Sequence, residues 1–435
     1  MRMHSINYDE NKYLLYLPDT LKFFKANENV VKLSELICEG KCLSEVESIF
    51  PDVNEDIYKS IYNKLVNNEK AVKKYPTDEW DGYLPRLVIH ISNNCNLKCK
   101  YCYAQGGNYL SNAGNITMEM LDNILYTFFG MFEKIDVISL FGGEPTLNIE
   151  AIERVAAYIS DNGLNTKIGM ITNGTVMDEK LAALIQKYDI SVTLSIDQKD
   201  MQNNLRPFNN GNETYDKIKE NVNILREVAK QPSQLEVVYT QAHVDNEISV
   251  TDVIKKLQFE FGKLPVHLTP VSTDKNDLKL KNEDAFIQSI DDAFIDSDIN
   301  EKADYSFVGR MIDSLQKKQP RTNVCSAGYG TISVSVNGDI YPCFYFTDQE
   351  DFHIANVNAP LEDVKAQIGK IRRYYYGKST HDLPECSTCF ANSICYGCLG
   401  VNYFETGDPY KPSETHCRMV KKSLEKTLIY LSEAR

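Results

Sequence analysis

The chain has 435 residues, 43% of them hydrophobic, enough for two or three domains with a large buried core and unlike a disordered segment. Its 47 Lys and Arg against 61 Asp and Glu leave a net charge of −14, so neither nucleic acid nor an anionic membrane is an expected partner. No apolar run reaches the roughly 18 residues of a membrane span, and Met1-Arg2-Met3-His4-Ser5 lacks the apolar core of a signal peptide, so a cytoplasmic protein is expected.

Residues 1–75 open with strand-like pieces at Tyr13–Leu17 and Leu21–Lys25, then apolar residues at helical spacing, Val31, Leu33, Leu36 and Ile37, up to Gly40. Ser44 is the expected cap of a second helix over Glu45–Phe50, and Ile57, Ile61 and Leu65 share one face of a third. A hairpin followed by three helices is the result. Cys38 and Cys42 lie here with no third thiol nearby and read as unliganded. The charged Val72–Pro85 stretch, which holds Trp80, reads as a linker, set at residues 76–86.

From Leu87 a period emerges. Strand-like runs at Leu87–Ile91, Val137–Phe141, Lys167–Thr172, Val192–Ile196, Val237–Thr240 and Val266–Val271 alternate with helix-like segments near 117–132, 148–162, 178–188, 215–229 and 249–261. Six such units predict an α/β fold with a parallel sheet and right-handed crossovers, curled as a partial (β/α)6 TIM-like barrel over residues 87–320. Folds of this kind carry their sites at the carboxyl ends of strands.

Four motifs stand there. Cys95, Cys99 and Cys102 follow the first strand as Cys-x3-Cys-x2-Cys; three thiolates can ligate an iron-sulfur cubane and leave one iron without a protein ligand, while a zinc knuckle is the alternative, although structural zinc normally closes with four ligands. Gly142-Gly143-Glu144-Pro145 ends the second strand, where glycines let backbone approach a ligand and Glu144 with nearby carbonyls can hold an ammonium group. Thr172-Asn173-Gly174 ends the third strand. Ser195-Ile196-Asp197 ends the fourth, with Arg206 shortly after it as a fork suited to a carboxylate. Residues 272–320 read as helical, with Ala285, Ile287, Ile290 and Phe294 as core, and carry no motif.

Residues 321–435 hold seven more of the twelve cysteines: Cys325, Cys343, Cys386, Cys389, Cys395, Cys398 and Cys417. Twelve thiols in a reducing compartment point to metal or catalytic use rather than disulfides. Ile332–Tyr341 reads as a hairpin, and the dense run Cys386-x2-Cys389-x5-Cys395-x2-Cys398 reads as two metal sites. Zinc is again the alternative, but seven thiols cannot close two all-cysteine zinc sites.

Cys95, Cys99 and Cys102, with Tyr101 and Tyr103 around the last thiol and with Gly142-Gly143-Glu144-Pro145 beyond, resemble the radical S-adenosylmethionine superfamily. The resemblance implies a 4Fe-4S cluster whose open iron chelates the methionine part of S-adenosylmethionine, and cleavage of that cofactor to a 5'-deoxyadenosyl radical that abstracts hydrogen from an inert C–H bond. It further implies that Tyr101 lies in the cofactor site, that Gly142, Gly143 and Glu144 meet the cofactor's amino group, Ser195 and Arg206 its carboxylate, and Asn173 its ribose region.

Residues 321–435 resemble the SPASM domain of peptide-modifying radical enzymes. That implies two auxiliary 4Fe-4S clusters, a distal one on Cys386, Cys389, Cys395 and Cys417 and a nearer one on Cys325, Cys343 and Cys398 with one iron lacking a cysteine from this domain. The usual x3 spacing before the last cysteine of the run is x2 here, Tyr396-Gly397. The hairpin and three helices at the N-terminus resemble the winged-helix-like element with which maturases of ribosomal peptides bind a precursor leader as an added strand.

The function expected from this order of domains is a peptide maturase of the thioether-forming (ranthipeptide or sactipeptide) type, joining a cysteine sulfur to an unactivated carbon, with a leader-bearing precursor peptide and an electron donor such as flavodoxin or ferredoxin as partners. Carbon–carbon or carbon–oxygen crosslinking and epimerisation are sister reactions. Sulfatase maturation to formylglycine is a further reading, but enzymes of that group carry an Asp base directly after the cysteine equivalent to Cys343, where this chain has Phe344. The non-enzyme alternative is an iron-sulfur carrier or a zinc-stabilised peptide-binding protein. No catalytic base is assigned; Tyr239, His243, His267 and Arg310 lie near strand ends or the barrel mouth and read first as structural.

Overall fold

The computed structural model describes residues 2–66, 80–109, 114–295 and 306–433. At the N-terminus β1 (His4–Asp9), β2 (Lys12–Leu17) and β3 (Lys22–Ala26) form an antiparallel sheet in that order. The sequence reading missed β1, because Ile6 is its one buried side chain and the strand shows no alternation to detect. Three helices follow. Asn27 caps α1 (Glu28–Cys38) through Val30 N–H, and α2 (Leu43–Ile49) begins at Cys42 rather than Ser44, because the Glu45 carboxylate accepts Cys42 N–H at 2.9 Å. On α3 (Glu55–Val66) Ile61 and Leu65 are buried, whereas Ile57 faces out, 42% exposed.

Trp80, at the end of the expected linker, is packed: its ring lies 4.8 Å from that of Phe132 and its Nε1–H donates to Met131 O. The linker's residues 76–79 lie outside the described residues, and its last ones already belong to β4 (Tyr83–Ser92). The β/α succession then runs α4 (Met118–Met131), β5 (Lys134–Gly142), α5 (Ile149–Asp161), β6 (Lys167–Thr172), α6 (Glu179–Lys187), β7 (Ser191–Ser195), α7 (Lys199–Leu205), α8 (Tyr215–Ala229), β8 (Gln234–Tyr239), α9 (Gln241–Asp245), α10 (Val250–Phe261) and β9 (Val266–Pro270). Thr117, Asn148, Asp178 and Ser249 side chains each accept an amide of the first turn, which sets where four of these helices begin. On α5 the buried residues Ala151, Ile152, Val155, Ala156 and Ile159 form one stripe against the sheet. Ile89 and Leu140 on facing strands are fully buried, each stabilising the fold by roughly 1.5–3 kcal/mol.

The remaining elements are α11 (Asp284–Ile295), α12 (Ser306–Lys317), β10 (Thr331–Val334), β11 (Asp339–Tyr341), β12 (Ala355–Asn356), α13 (Leu361–Tyr376), α14 (Leu399–Thr406) and α15 (Glu414–Glu433). In α11 the fully buried ring is Phe286; Ala285 and Phe294, expected in the core, are only half-buried. The nine-stranded sheet has the order β12-β11-β10-β4-β5-β6-β7-β8-β9, parallel from β10 through β9. This is the expected α/β barrel-like fold, left open between β9 and β12. The C-terminal hairpin extends that sheet, with β10 hydrogen-bonded in parallel to β4.

The N-terminal sheet rests on the C-terminal part: His4 stacks on Phe390 at 3.5 Å and pairs with Glu425 at 2.8 Å, while Arg2 donates to Cys389 O. Among the described residues no helix is long and apolar enough to cross a membrane.

Candidate active site

The thiol loop after β4 is laced to a segment far away in sequence. Lys98 N–H donates to Pro207 O and Lys100 N–H to Leu205 O, both at 2.9 Å, while Asn209 reaches back to Asn96 O and Cys95 O. These bonds bring Arg206 beside Cys99 and Tyr101, a contact that no local pattern could announce.

The Gly142-Gly143 pair also serves a close approach within the chain itself. A Cβ at Gly142, whose φ is +133°, would lie 2.1 Å from Ser92 O, and one at Gly143 would lie 2.3 Å from Asn94 O. The close approach these glycines permit is to the backbone that enters the thiol loop: Gly143 N–H donates to Ser92 O and Glu144 N–H to Asn94 O. Glu144 is a buried strut. Its carboxylate accepts from Thr146 N–H, the Thr146 and Thr172 hydroxyls and Asn173 N–H, at 2.7–3.0 Å, tying the end of β5 to the end of β6. Asn173 in turn donates to Asn96 Oδ1 and accepts from Thr175.

Burial pushes the Cys95 thiol up to about 12 and raises Cys99 as well, against the pull of Arg206. Burial works against the charge on Arg206, but Tyr101, Cys99, Asp197 and Glu236 hold it protonated, and its buried Nε has no partner among the described residues. Tyr101, Gly142, Gly143, Glu144, Asn173, Ser195 and Arg206 line one cavity of about 930 Å³ together with Cys95, Cys99 and Cys102. Cys325 and Cys398 stand on the same cavity's wall, as do His267 and Arg310. Tyr239 and His243 do not reach it; Tyr239 donates to Ile248 O and stacks on His243, which pairs with buried Asp197 at 2.9 Å.

The later cysteines fall into two groups. Cys343 is raised by burial and then by Cys398 and Cys325, and the amides of Tyr345 and Phe346 point at its sulfur. Amides of Ala327 and Leu399 point at Cys325, those of Gly400 and Val401 at Cys398. Cys386 and Cys395 are pushed up to about 11 and 12 by burial; Cys386 feels Cys417 and Cys389 next, and Cys395 feels Cys417, Cys386 and Cys389. Cys395 also lies 3.7 Å from His416.

This donor set suits iron-sulfur clusters. It is all sulfur, it is bordered by N–H groups that favour thiolate, and it gives up protons when metal binds. Among the described residues no three His, Cys, Asp or Glu side chains close on a single metal-ion position. Cys95, Cys99, Cys102, Cys325 and Cys398 border an open space instead, which suits a larger group. The Arg206 Nε, without a partner among the described residues and on the cavity that Ser195 also lines, matches an anionic end of a cofactor.

Of the aromatic lining, sequence reasoning named Tyr101 and Tyr103 but not Tyr109 or Tyr345. Tyr103, next to Cys102, stacks on Tyr345 at 4.7 Å, and Tyr109 donates to Gly142 O. Fully buried His90 on β4 has its ring edge-on to Tyr109 and Phe141, at 4.7 and 5.5 Å. Burial pushes its imidazole down from 6.5 to about 3. The unfolded chain therefore takes up this proton first. Stability is complete above about pH 6.5 and falls as pH drops toward 3, by up to about 1.4 kcal/mol per pH unit for this site. Acid unfolding of His90→Phe should show a shallower slope than the parent; an identical slope removes His90 as a source.

Two family models match the chain: the Radical SAM superfamily over residues 89–252 and an iron-sulfur cluster-binding domain, SPASM, over 325–390. An uncharacterized protein of Methanocaldococcus jannaschii is 35% identical over 142 residues, 32% of this chain and 48% of that protein. A cysteine-type anaerobic sulfatase-maturating enzyme of Clostridium novyi is 24% identical over 80% of this chain and 96% of its own length. Among solved structures, anSMEcpe with bound AdoMet and Cp18Cys peptide superposes with a TM-score of 0.66 at 18% identity, covering 81% of this chain and 98% of that one. Streptococcus suis SuiB reaches 0.56 at 18% identity, covering 96% and 98%. These likenesses agree with the sheet order and the two thiol regions described above: the Radical SAM superfamily model spans the segment from β4 to the start of α10, which holds Cys95, Cys99 and Cys102, and the SPASM model spans the segment that holds Cys325, Cys343, Cys386 and Cys389.

Proposed function

We propose that this chain is a radical S-adenosylmethionine maturase that removes hydrogen from a carbon of a ribosomally made precursor peptide and joins that carbon to a cysteine sulfur. The observation that carries the reading is one cavity of about 930 Å³ lined both by Cys95, Cys99 and Cys102 and by Cys325 and Cys398. That volume has room for a nucleoside cofactor and a substrate side chain. In this reading Cys95, Cys99 and Cys102 hold the cofactor-binding 4Fe-4S cluster, Cys325, Cys343 and Cys398 the nearer auxiliary one, and Cys386, Cys389, Cys395 and Cys417 the distal one. When bound, S-adenosylmethionine and the clusters supply a 5'-deoxyadenosyl radical and the electron that makes it.

The chain's own residues bind, orient and exclude water. Arg206 and Ser195 take the cofactor's carboxylate, the 142–144 turn its amino group, and Asn173 its ribose side, while Tyr101 closes the wall. Tyr103, Tyr109 and Tyr345 keep water from the carbon that loses its hydrogen. With the cofactor bound, that hydrogen would pass to it, and the substrate thiol would release its proton and, as the C–S bond forms, one electron to the cluster that Cys325, Cys343 and Cys398 would hold. The peptide loses two hydrogens per bridge. The N-terminal sheet, with β1 and β3 at its edges, takes the leader, and a flavodoxin or ferredoxin provides the electron.

Formylglycine formation is the second reading, favoured by the likeness to the Clostridium novyi enzyme over nearly its whole length. The position after Cys343, where that chemistry places its base, is here Phe344, with its ring 4.8 Å from Phe141 and 4.9 Å from Tyr345. An apolar stack cannot take a proton. Mass spectrometry of a co-expressed, leader-bearing precursor should show the loss of two hydrogens per bridge and one fewer alkylatable thiol. A product that reacts with hydrazine as an aldehyde would transfer the assignment to the second reading, and an unmodified peptide in the presence of active cofactor cleavage would refute both.

A further inference from the structure

We infer that Arg310 and Arg321, set around the ring of Tyr396, form a subsite for a carboxylate of the peptide substrate; the inference rests on the peptide-maturase reading. Their guanidinium carbons lie 5.8 and 4.2 Å from the Tyr396 ring centre. The Tyr396 hydroxyl meets Ser314 Oγ at 2.8 Å, which fixes the ring, and Arg310 Nη2 lies 3.5 Å from His267 Nδ1. All five residues line the cavity that holds the thiol loop, and Tyr396 sits between Cys395 and Cys398.

Among the described residues neither arginine has an anion as partner. Arg321 donates to Val324 O at 3.3 Å, and its buried Nε has no partner among the described residues. Neighbouring carboxylates on the cavity wall are committed elsewhere, Glu283 to Arg418 and Lys422, Asp313 to Lys317. Among the described residues no carboxylate pairs with Arg310 or Arg321. Burial disfavours the charge on Arg310, and beside the Tyr396 ring the like charge of Arg321 adds to that cost. A planar fork presented to a cavity matches a carboxylate in shape and charge, and in a chain of net charge −14 this local positive field selects an acidic group. The group is a side-chain carboxylate of Asp or Glu near the crosslinked cysteine, or the peptide's C-terminal carboxylate.

A competing role exists in the same place: Arg321 also draws down the thiols of Cys325 and Cys395, so it can balance thiolate charge without touching substrate. The test begins with a precursor that the wild-type holoenzyme modifies with loss of two hydrogens, which separates failure of the activity reading from failure of the subsite. Each Asp is then changed to Asn, each Glu to Gln, and the C-terminus to an amide. One of these acid-to-amide changes should raise KM about ten- to hundredfold with little change in kcat, and should add nothing further in Arg310→Gln or Arg321→Gln. Which change does so tells a side chain from the C-terminus, and Arg310→Lys should recover part of the loss. Iron content and cluster spectra of each variant report on folding. Wild-type enzyme that treats every amide peptide like its acid parent overturns the proposal. So do arginine variants that lower turnover of acid and amide peptides equally while shifting the auxiliary-cluster potential.

Discussion

Replacing Cys95, Cys99 and Cys102 together by Ala should reduce 5'-deoxyadenosine formation to background while iron bound by the later cysteines stays in place. The expectation follows from where the thiols stand. The three belong to a loop held by β4 and the 205–209 segment, whereas the amides that point at Cys325, Cys343 and Cys398 come from residues 327, 345, 346 and 399–401. Nothing in the second set depends on the first loop's sulfurs. Anaerobic reconstitution, iron and sulfide counting, and chromatography after dithionite reduction would check it. Cofactor cleavage persisting in the triple variant would remove this loop from the chemistry; loss of all iron would show that the groups assemble as one unit.

Gly142→Ala should be nearly as damaging although it touches no cysteine. Its Cβ would lie 2.1 Å from Ser92 O, and its φ of +133° disfavours any L side chain. Backbone must move, and the backbone concerned leads directly into the thiol loop. A loss of about 3 kcal/mol or more is expected, with depleted iron at the first cluster as its specific sign. Gly106→Ala is the control: its φ is +79°, but nothing lies within 4 Å of the new Cβ, so about 1 kcal/mol is the expected cost. Equal melting and equal iron in the two variants would show that the 92–94 chain yields freely and that the glycines matter for another reason.

The barrel strands and helices were legible because each unit buries one apolar face at a fixed period and starts at a Thr, Asn, Asp or Ser that caps it. β1 escaped because a strand with one buried residue has no period, and the start of α2 was misplaced because Glu45 caps from inside the helix what Ser44 was expected to cap from outside. Trp80 was read as linker because its partners, Phe132 and the Met131 carbonyl, lie some fifty residues on.

The thiol spacing, the Gly-Gly-Glu-Pro turn and the seven later cysteines are properties of the sequence by itself, since ligand type and local spacing determine what chemistry a loop can support. The tertiary structure decided the rest. It showed that Gly142 and Gly143 also let one backbone pass close to another, that Glu144 ties two strand ends by hydrogen bonds, and that Arg206 reaches Cys99 through the 205–209 segment. It also joined β10 to β4, so that Cys325 and Cys398 open on the same cavity as Cys95. The physical reason is one of range. Periodicity, capping and ligand spacing act over a few residues and are written locally, whereas packing, strand order and the pairing of buried charges depend on which distant segments meet in the folded chain.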